Sequence, residues 1–442
     1  MTRIRRAMMV GLVPCLVCAC PVDPELVFDP GASVLFVGQK ARIVVTEGSG
    51  GSDLDYSSFE LVDSNKKVFS SKSPALGLKR LAADELQFTV PPGIAAGDAN
   101  ISVETSKGPA FSGKVTINRL IAMRDLSGKL WLLALLGDGT ASQFAEFTAG
   151  KFGFGHGQVA IGMGGRLLAS TADGSHQLYL AWVGAALEPS PPYTFDPTED
   201  IADLKVTSQG LTLVATSNGV YLVNPPSKQP PQIPAVSLTP LPTGDARGLA
   251  VNHDGTRAVA ITDPGAAGYV SLSVIDLQLS PPAIIETLTT SWAGGVSLAL
   301  HVGMSPDGNR VLAVDGTGDR VALFVKDTHP PLESDCPAGE DGAAAVVSDV
   351  TGDTFYVANR TGKTLSRIQV SDDKLSFATP LTPGTSSPVD LSVSELNEVT
   401  ILLEHDMVLL YDNGSQASPL TFDNLFKDKV NGEVGGSVAV QP

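Results

Sequence analysis

The side chains able to do chemistry are few and scattered. Six histidines stand at 156, 176, 253, 301, 329 and 405, and no two share a metal-ligand spacing such as HxH or HExxH. No GxSxG nucleophile motif occurs; Gly303-Met304-Ser305-Pro306-Asp307-Gly308 comes closest and reads better as a turn. No Gly-rich segment follows a strand and opens a helix, so a nucleotide cradle is excluded. Asp315-Gly316-Thr317-Gly318-Asp319 brings carboxylates close enough for calcium to be conceivable, but a hairpin turn is the favoured reading. Cys336 lies among acids that would raise its pKa and blunt it as a nucleophile. Two long connections carry the best binding candidates. One runs from 188 to 203 with Tyr193, Phe195, Asp196, Glu199 and Asp200, and the other from 328 to 341 with Glu333 and Asp335. No cofactor and no metal site is expected.

These residues must be positioned by β structure. The chain has 442 residues, 45 of them glycine and 31 proline, a balance that favours turns over long helices. Its formal charge of −17 repels nucleic-acid phosphates, so nucleic acid is excluded as a partner.

The amino terminus reads as an address. Arg3, Arg5 and Arg6 precede an apolar stretch from Ala7 to Val17 that is too short to span a bilayer as a mature helix. Leu16-Val17-Cys18-Ala19-Cys20 follows and resembles a bacterial lipobox, which implies cleavage after residue 19 and acylation of Cys20. The alternative is an ordinary secretory signal cut near Ala19. Acyl chains at roughly 0.8 kcal/mol per buried CH₂ would hold the rest on a bilayer without a transmembrane helix. Loss of residues 1–19 moves the charge from −17 to −20 and leaves Cys336 alone with the lipidated Cys20, so no intrachain disulfide is expected.

Residues 20–117 read as one small sandwich. Val34-Leu35-Phe36-Val37, Ala41-Arg42-Ile43-Val44-Val45 and Phe59-Glu60-Leu61-Val62 are short strands. Leu86-Gln87-Phe88-Thr89-Val90 alternates before Pro91-Pro92-Gly93 stops it. The arrangement resembles the IPT/TIG group of immunoglobulin-like domains, which implies a spacer or binding module.

From 118 to 442 the chain repeats. Polar turns centred on Gly164, Gly210, Gly255, Gly308, Gly352 and Asn397 recur at intervals of 46, 45, 53, 44 and 45 residues. Gly and Asn reach positive φ with least strain, as a hairpin turn requires. A period near 45 with short strands indicates propeller blades of about four strands. A seventh blade is split: residues 119–148 lack an inner strand, and Val438-Ala439-Val440 is an inner strand without a blade. The fold expected is therefore all-β, an immunoglobulin-like sandwich followed by a seven-bladed propeller closed by the carboxy-terminal strand. The turns and Tyr356-Val357-Ala358-Asn359 resemble the YVTN and lactonase-type propellers, which implies the topology and not a reaction. A bending or cleavable joint is expected at about 117–120.

Two functions fit. A lipid-anchored, non-catalytic protein of the bacterial envelope, binding a protein or glycan through the propeller, is favoured by the lack of a compact His/acid motif. A propeller hydrolase of lactonase type is the alternative, and it would require His, Asp or Glu side chains converging at the axis.

Overall fold

The computed structural model describes residues 26–28, 34–44, 436–440 and, apart from short internal stretches, 54–410. Cys20 and the whole signal segment lie outside the described residues, as do His156 and His405. Among the described residues, strands account for nearly all regular structure, and no helix is long and apolar enough to cross a membrane.

The sandwich is built from two sheets. Leu26–Phe28, Lys40–Val44, Glu85–Thr89 and Lys79–Ala82 pair in one. Val34–Phe36, Leu54–Val62, Val68–Ser70, Gly97–Thr105 and the start of the long strand Gly108–Asp125 form the other. Alternation turns Leu35, Ile43, Phe59, Leu61, Leu86, Phe88, Val90, Ile101, Val103 and Ile117 into a single fully buried core.

Among the described residues seven sheets form the propeller, each with its strands antiparallel. Blade 1 is Gly436–Val440, the end of Gly108–Asp125, Leu130–Leu135 and Ala141–Phe147. Blade 2 is Val159–Gly162, Leu167–Ala172, Gln177–Trp182 and Tyr193–Thr194. Blade 3 is Ile201–Val206, Thr212–Thr216 and Gly219–Val223. Blade 4 is Asp245–Val251, Arg257–Asp263, Tyr269–Asp276 and Ala283–Ala293. Blade 5 is Leu300–Met304, Arg310–Asp315, Arg320–Val325 and Thr328–Asp335. Blade 6 is Ala343–Ser348, Thr354–Asn359, Thr364–Ser371 and Lys374–Phe377. Blade 7 is Pro388–Val393, Val399–Leu403 and Met407–Leu410.

The first-named strand of each blade is innermost. Gly436–Val440 sits between the inner strands of blades 7 and 2, so the carboxy-terminal strand closes the ring. Second strands are covered on both faces; every residue of Leu167–Ala172 is buried. The six turn positions all take positive φ, from 61° at Asn397 to 88° at Gly210.

Two expectations change. Thr328–Asp335 is not loop but the outer strand of blade 5, so Glu333, Asp335 and His329 stand on a strand. The joint at 117–120 is not a hinge, because Gly108–Asp125 runs unbroken from the sandwich into blade 1. It pairs with Gly97–Thr105 on one side and with Leu130–Leu135 farther along. Arg119 fixes the seam. Fully buried, it donates to Glu398 Oε2 and to the Ile94 carbonyl, both at 2.6 Å. Gly38 packs so closely on blade 2 that a Cβ there would lie 2.1 Å from the Gly164 carbonyl oxygen.

Candidate functional site

Inner strands are edge strands. Each pairs outward with its own blade, and its other edge faces the axis with N–H and C=O groups that need partners. The space they enclose is a channel of about 970 Å³. Ala75, Thr89 and Pro92 of the sandwich line it at the end where the blade turns lie, so the sandwich sits over that mouth.

Blades 3 and 7 meet the need for partners in the same way, through the repeated segments Asp203-Leu204-Lys205-Val206 and Asp390-Leu391-Ser392-Val393. Asp203 accepts from its own Leu204 N–H at 2.7 Å and from the Leu249 N–H of blade 4 at 2.8 Å. Asp390 accepts from Leu391 N–H and from the Val438 N–H of blade 1, both at 2.8 Å. Ser392 and Ser437 cap the edge N–H groups of Val440 and Val159. Blade 5 carries His301 at the corresponding position, four residues before the turn residue Ser305, as Asp203 stands four before Thr207. Among the described residues the His301 ring has no hydrogen-bond partner.

Electrostatics bind this layer together. Lys205 Nζ donates to Asp203 Oδ1 at 2.9 Å, and its side chain keeps 42 % of its surface toward the channel although protein surrounds it. The water it meets is therefore confined. Burial pulls its pKa down, but Asp203 and Asp390 outweigh that and hold the ammonium above its ordinary value. Burial pushes His301 down to about 4, with Lys205 adding to the shift and Asp203 opposing it, so the ring is neutral at pH 7. Burial raises Asp390 to about 6, against the pull of the Val438 N–H and of Lys205. Arg247, also lining the channel, is paired with Asp245 at 2.5 Å. Asp203, His301 and Asp390 thus converge at the axis, a set that the sequence reading did not single out. The repeat of Asp-Leu-x-Val was the signal available for finding it.

The loop residues singled out from sequence do not line this channel. Tyr193 and Phe195 stack edge-on at 4.7 Å, and Phe195 packs on Tyr221 at 5.2 Å. Glu199 is buried beside them and accepts from Asn218 Nδ2 and from the Tyr221 hydroxyl, each at 2.8 Å. Burial, then Glu199, raises the Tyr221 pKa. Tyr193, Phe195 and Glu199 therefore form a latch between blades 2 and 3. Asp196 closes its own turn by accepting from Thr198, which holds its carboxyl below the usual range. The Asp200 N–H donates to Ser217 Oγ. Glu333 accepts from Ser291 N–H at 2.6 Å and from its hydroxyl, tying blade 5 to blade 4. Asp335 ends its strand opposite Arg320.

Asp315 pairs with Arg320 at 2.6 Å and caps Thr317 N–H, as a hairpin turn does. Among the described residues no three His, Cys, Asp or Glu side chains gather where they could hold a metal ion. Cys336 is half-buried, and burial first, then Asp319 and neighbouring acids, pushes its thiol up to about 12.

Comparison with known proteins fixes the architecture. No protein-family profile matches the chain, and no curated protein is significantly similar to it. Among solved structures, a protein of unknown function from Desulfotomaculum acetoxidans is similar at a TM-score of 0.53 and 12 % identity, covering 73 % of this chain and 98 % of that one. A candidate 6-phosphogluconolactonase from Bacteroides uniformis is similar at 0.52 and 12 %, covering 68 % and 94 %. The chain is an all-β protein with a propeller fold. At this identity the likeness concerns the fold alone.

Proposed function

We propose that the chain is a lipid-anchored protein of the bacterial cell envelope that binds a ligand in its axial channel without transforming it. The bonding of the two channel carboxylates carries the non-catalytic part. Asp203 and Asp390 each accept two backbone N–H groups, one from the neighbouring blade, so they serve the wall of the ring. The anchor rests on the basic start, the apolar stretch and Cys20 in the lipobox-like context. The sandwich, IPT/TIG-like in its strand pattern, spans 20–117 in this reading. The propeller spans 118–442.

A hydrolase reading keeps one specific support. A neutral imidazole without a partner shares a chamber with two carboxylates, the kind of cluster in which acid–base catalysis is found. One experiment separates the two. Thermal-shift screening of the chain from residue 21 onward against sugars, peptides and small carboxylates is expected to give a stabilising ligand with an NMR footprint at 203, 301 and 390. Recovery of that ligand unchanged after prolonged incubation supports binding, and its conversion supports the hydrolase. A footprint on the outer blades removes the channel from either reading. For the anchor, Cys20→Ala is expected to move the protein from the membrane to the soluble fraction or to leave the signal uncut. Unchanged detergent-phase partitioning would exclude acylation at Cys20.

A further inference from the structure

We propose, on the reading that the axial channel is the binding site, that His301 with the edge N–H groups of Val302 and Val346 forms a recognition point for an uncharged, hydroxyl-bearing ligand of the sugar class. The repeat supplies the geometry. In blade 3 the Asp203 carboxylate serves two N–H groups, those of Leu204 and Leu249, the latter on the next blade. In blade 7 Asp390 does the same for Leu391 and Val438. The turn bonds of Ser305 to Arg310 and of Asp349 to Thr354 align Val302 with Leu204 and Val346 with Leu249. Val302 and Val346 therefore turn their N–H and C=O groups to the same free edge.

Blade 5 carries histidine where blades 3 and 7 carry the bridging aspartate, and blades 4 and 6 have Gly248 and Ala345 there, which cannot bridge. A neutral ring offers one donor and one acceptor, not the two oxygens that an aspartate spreads over two N–H groups. Among the described residues no side-chain oxygen accepts from Val302 or Val346, although both line the channel. A ligand oxygen set between them would take the place that a carboxylate oxygen holds in blades 3 and 7.

Charge then selects the ligand. Two carboxylates face the one ammonium of Lys205, and Arg247 is already matched by Asp245. The layer carries an excess of negative charge and disfavours an anionic guest. Lys205 already stands between Asp203 and Asp390, so a guest cation competes with it. A hydroxyl meets neither obstacle: its oxygen accepts from the two N–H groups and its proton goes to the imidazole. Val302, Val346, Leu249 and Leu391 supply apolar wall for the C–H faces of such a molecule.

Glucose, glucuronate and glucosamine test this as one scaffold with three charges. With ¹⁵N-histidine labelling, glucose is expected to shift the His301 resonances saturably and to bind at least about tenfold tighter than either charged hexose. His301→Asn, whose short amide oxygen can cap the two N–H groups from within, is expected to weaken glucose binding about tenfold or more while leaving thermal stability equal or higher. Should that variant unfold, the hexose ranking and the His301 shifts of the wild-type chain still decide. Tightest binding by glucuronate or glucosamine, or glucose binding that leaves His301 unmoved, overturns the assignment while leaving the channel as the site. Absence of any hexose effect also overturns it. The channel reading itself falls only if no ligand of the wider screen leaves a footprint at 203, 301 and 390.

Discussion

The sandwich and the propeller both pack sheets face to face, but only the propeller also gathers sheet edges around an axis. The sandwich apposes sheet faces, so its centre fills with side chains such as Phe59 and Phe88, whose rings lie 5.2 Å apart. The propeller apposes sheet edges at its axis, so its centre is lined by backbone and stays open. A face is satisfied by apolar burial, whereas an edge demands hydrogen-bond partners. At the propeller axis stand Asp203, Lys205, His301 and Asp390, whereas the sandwich is centred on an apolar cluster. Between them, the strand Gly108–Asp125 belongs to both kinds of packing.

The comparison breaks most severely if the ring is opened. Ending the chain at Gly435 removes the inner strand of blade 1, the Val438 and Val440 partners of Asp390 and Ser392, and an apolar seam. Exposing about 300 Å² of apolar surface costs on the order of 7 kcal/mol, comparable with the stability of a domain. The truncated chain is expected to aggregate, as read by light scattering; soluble protein with unchanged melting would mean that the ring closes otherwise.

Next in size is the seam. Arg119→Ala leaves Glu398 and the Ile94 carbonyl without their partner and is expected to lower stability by about 3–5 kcal/mol. Because the strand is shared, denaturant unfolding of sandwich and propeller is expected to coincide in the wild type and to separate in the variant. Wild-type curves that are already separate would restore the hinge. A smaller effect, about 1–3 kcal/mol, is expected for Gly38→Ala, which meets both a φ of 76° and the Gly164 carbonyl. A Gly38→Ala chain melting like the wild type would show that the seam is loose.

The smallest effect probes the axis alone. Asp390 is raised from about 3.9 to about 6, so between these values the native state holds more proton than the unfolded chain, and stability falls as pH rises. His301 is lowered from about 6.5 to about 4, so there the unfolded chain holds more proton, and stability rises with pH. The two slopes oppose each other over pH 4–6, so these two groups together contribute little net slope in the wild type. His301→Gln is expected to expose the falling slope and Asp390→Asn the rising one, each on the order of 1–2 kcal/mol across the window because confined water softens both shifts. Parallel profiles in chemical denaturation of all three proteins would mean that these groups are solvated as at an open surface.

Much of the fold was legible in local patterns. Positive φ at Gly164, Gly210, Gly255, Gly308, Gly352 and Asn397 follows from residue type, and the spacing of those turns set the blade count. The isolated Val438-Ala439-Val440 pointed to ring closure because an inner strand cannot stand without a blade. Loop length misled at Thr328–Asp335, where two prolines disguised an edge strand that tolerates them because Pro330 and Pro331 fall in the bulge between the pairs Leu323–Leu332 and Val325–Thr328.

The sequence alone specified turn positions, strand runs and the acidic balance, because turns and strands depend on neighbours within a few residues and charge on composition. It did not reveal that Asp203, His301 and Asp390 meet, since they are about 90 to 100 residues apart in succession and share no local spacing. Only closure of the ring brings their strands to one layer. Tertiary structure also decided the setting of the aromatic loop: Tyr193 and Phe195 looked available for binding, but Tyr193 packs on Phe195 and Phe195 on Tyr221. A residue's chemistry is written in its type, whereas whether that chemistry is free or already engaged depends on groups that arrive from distant parts of the chain.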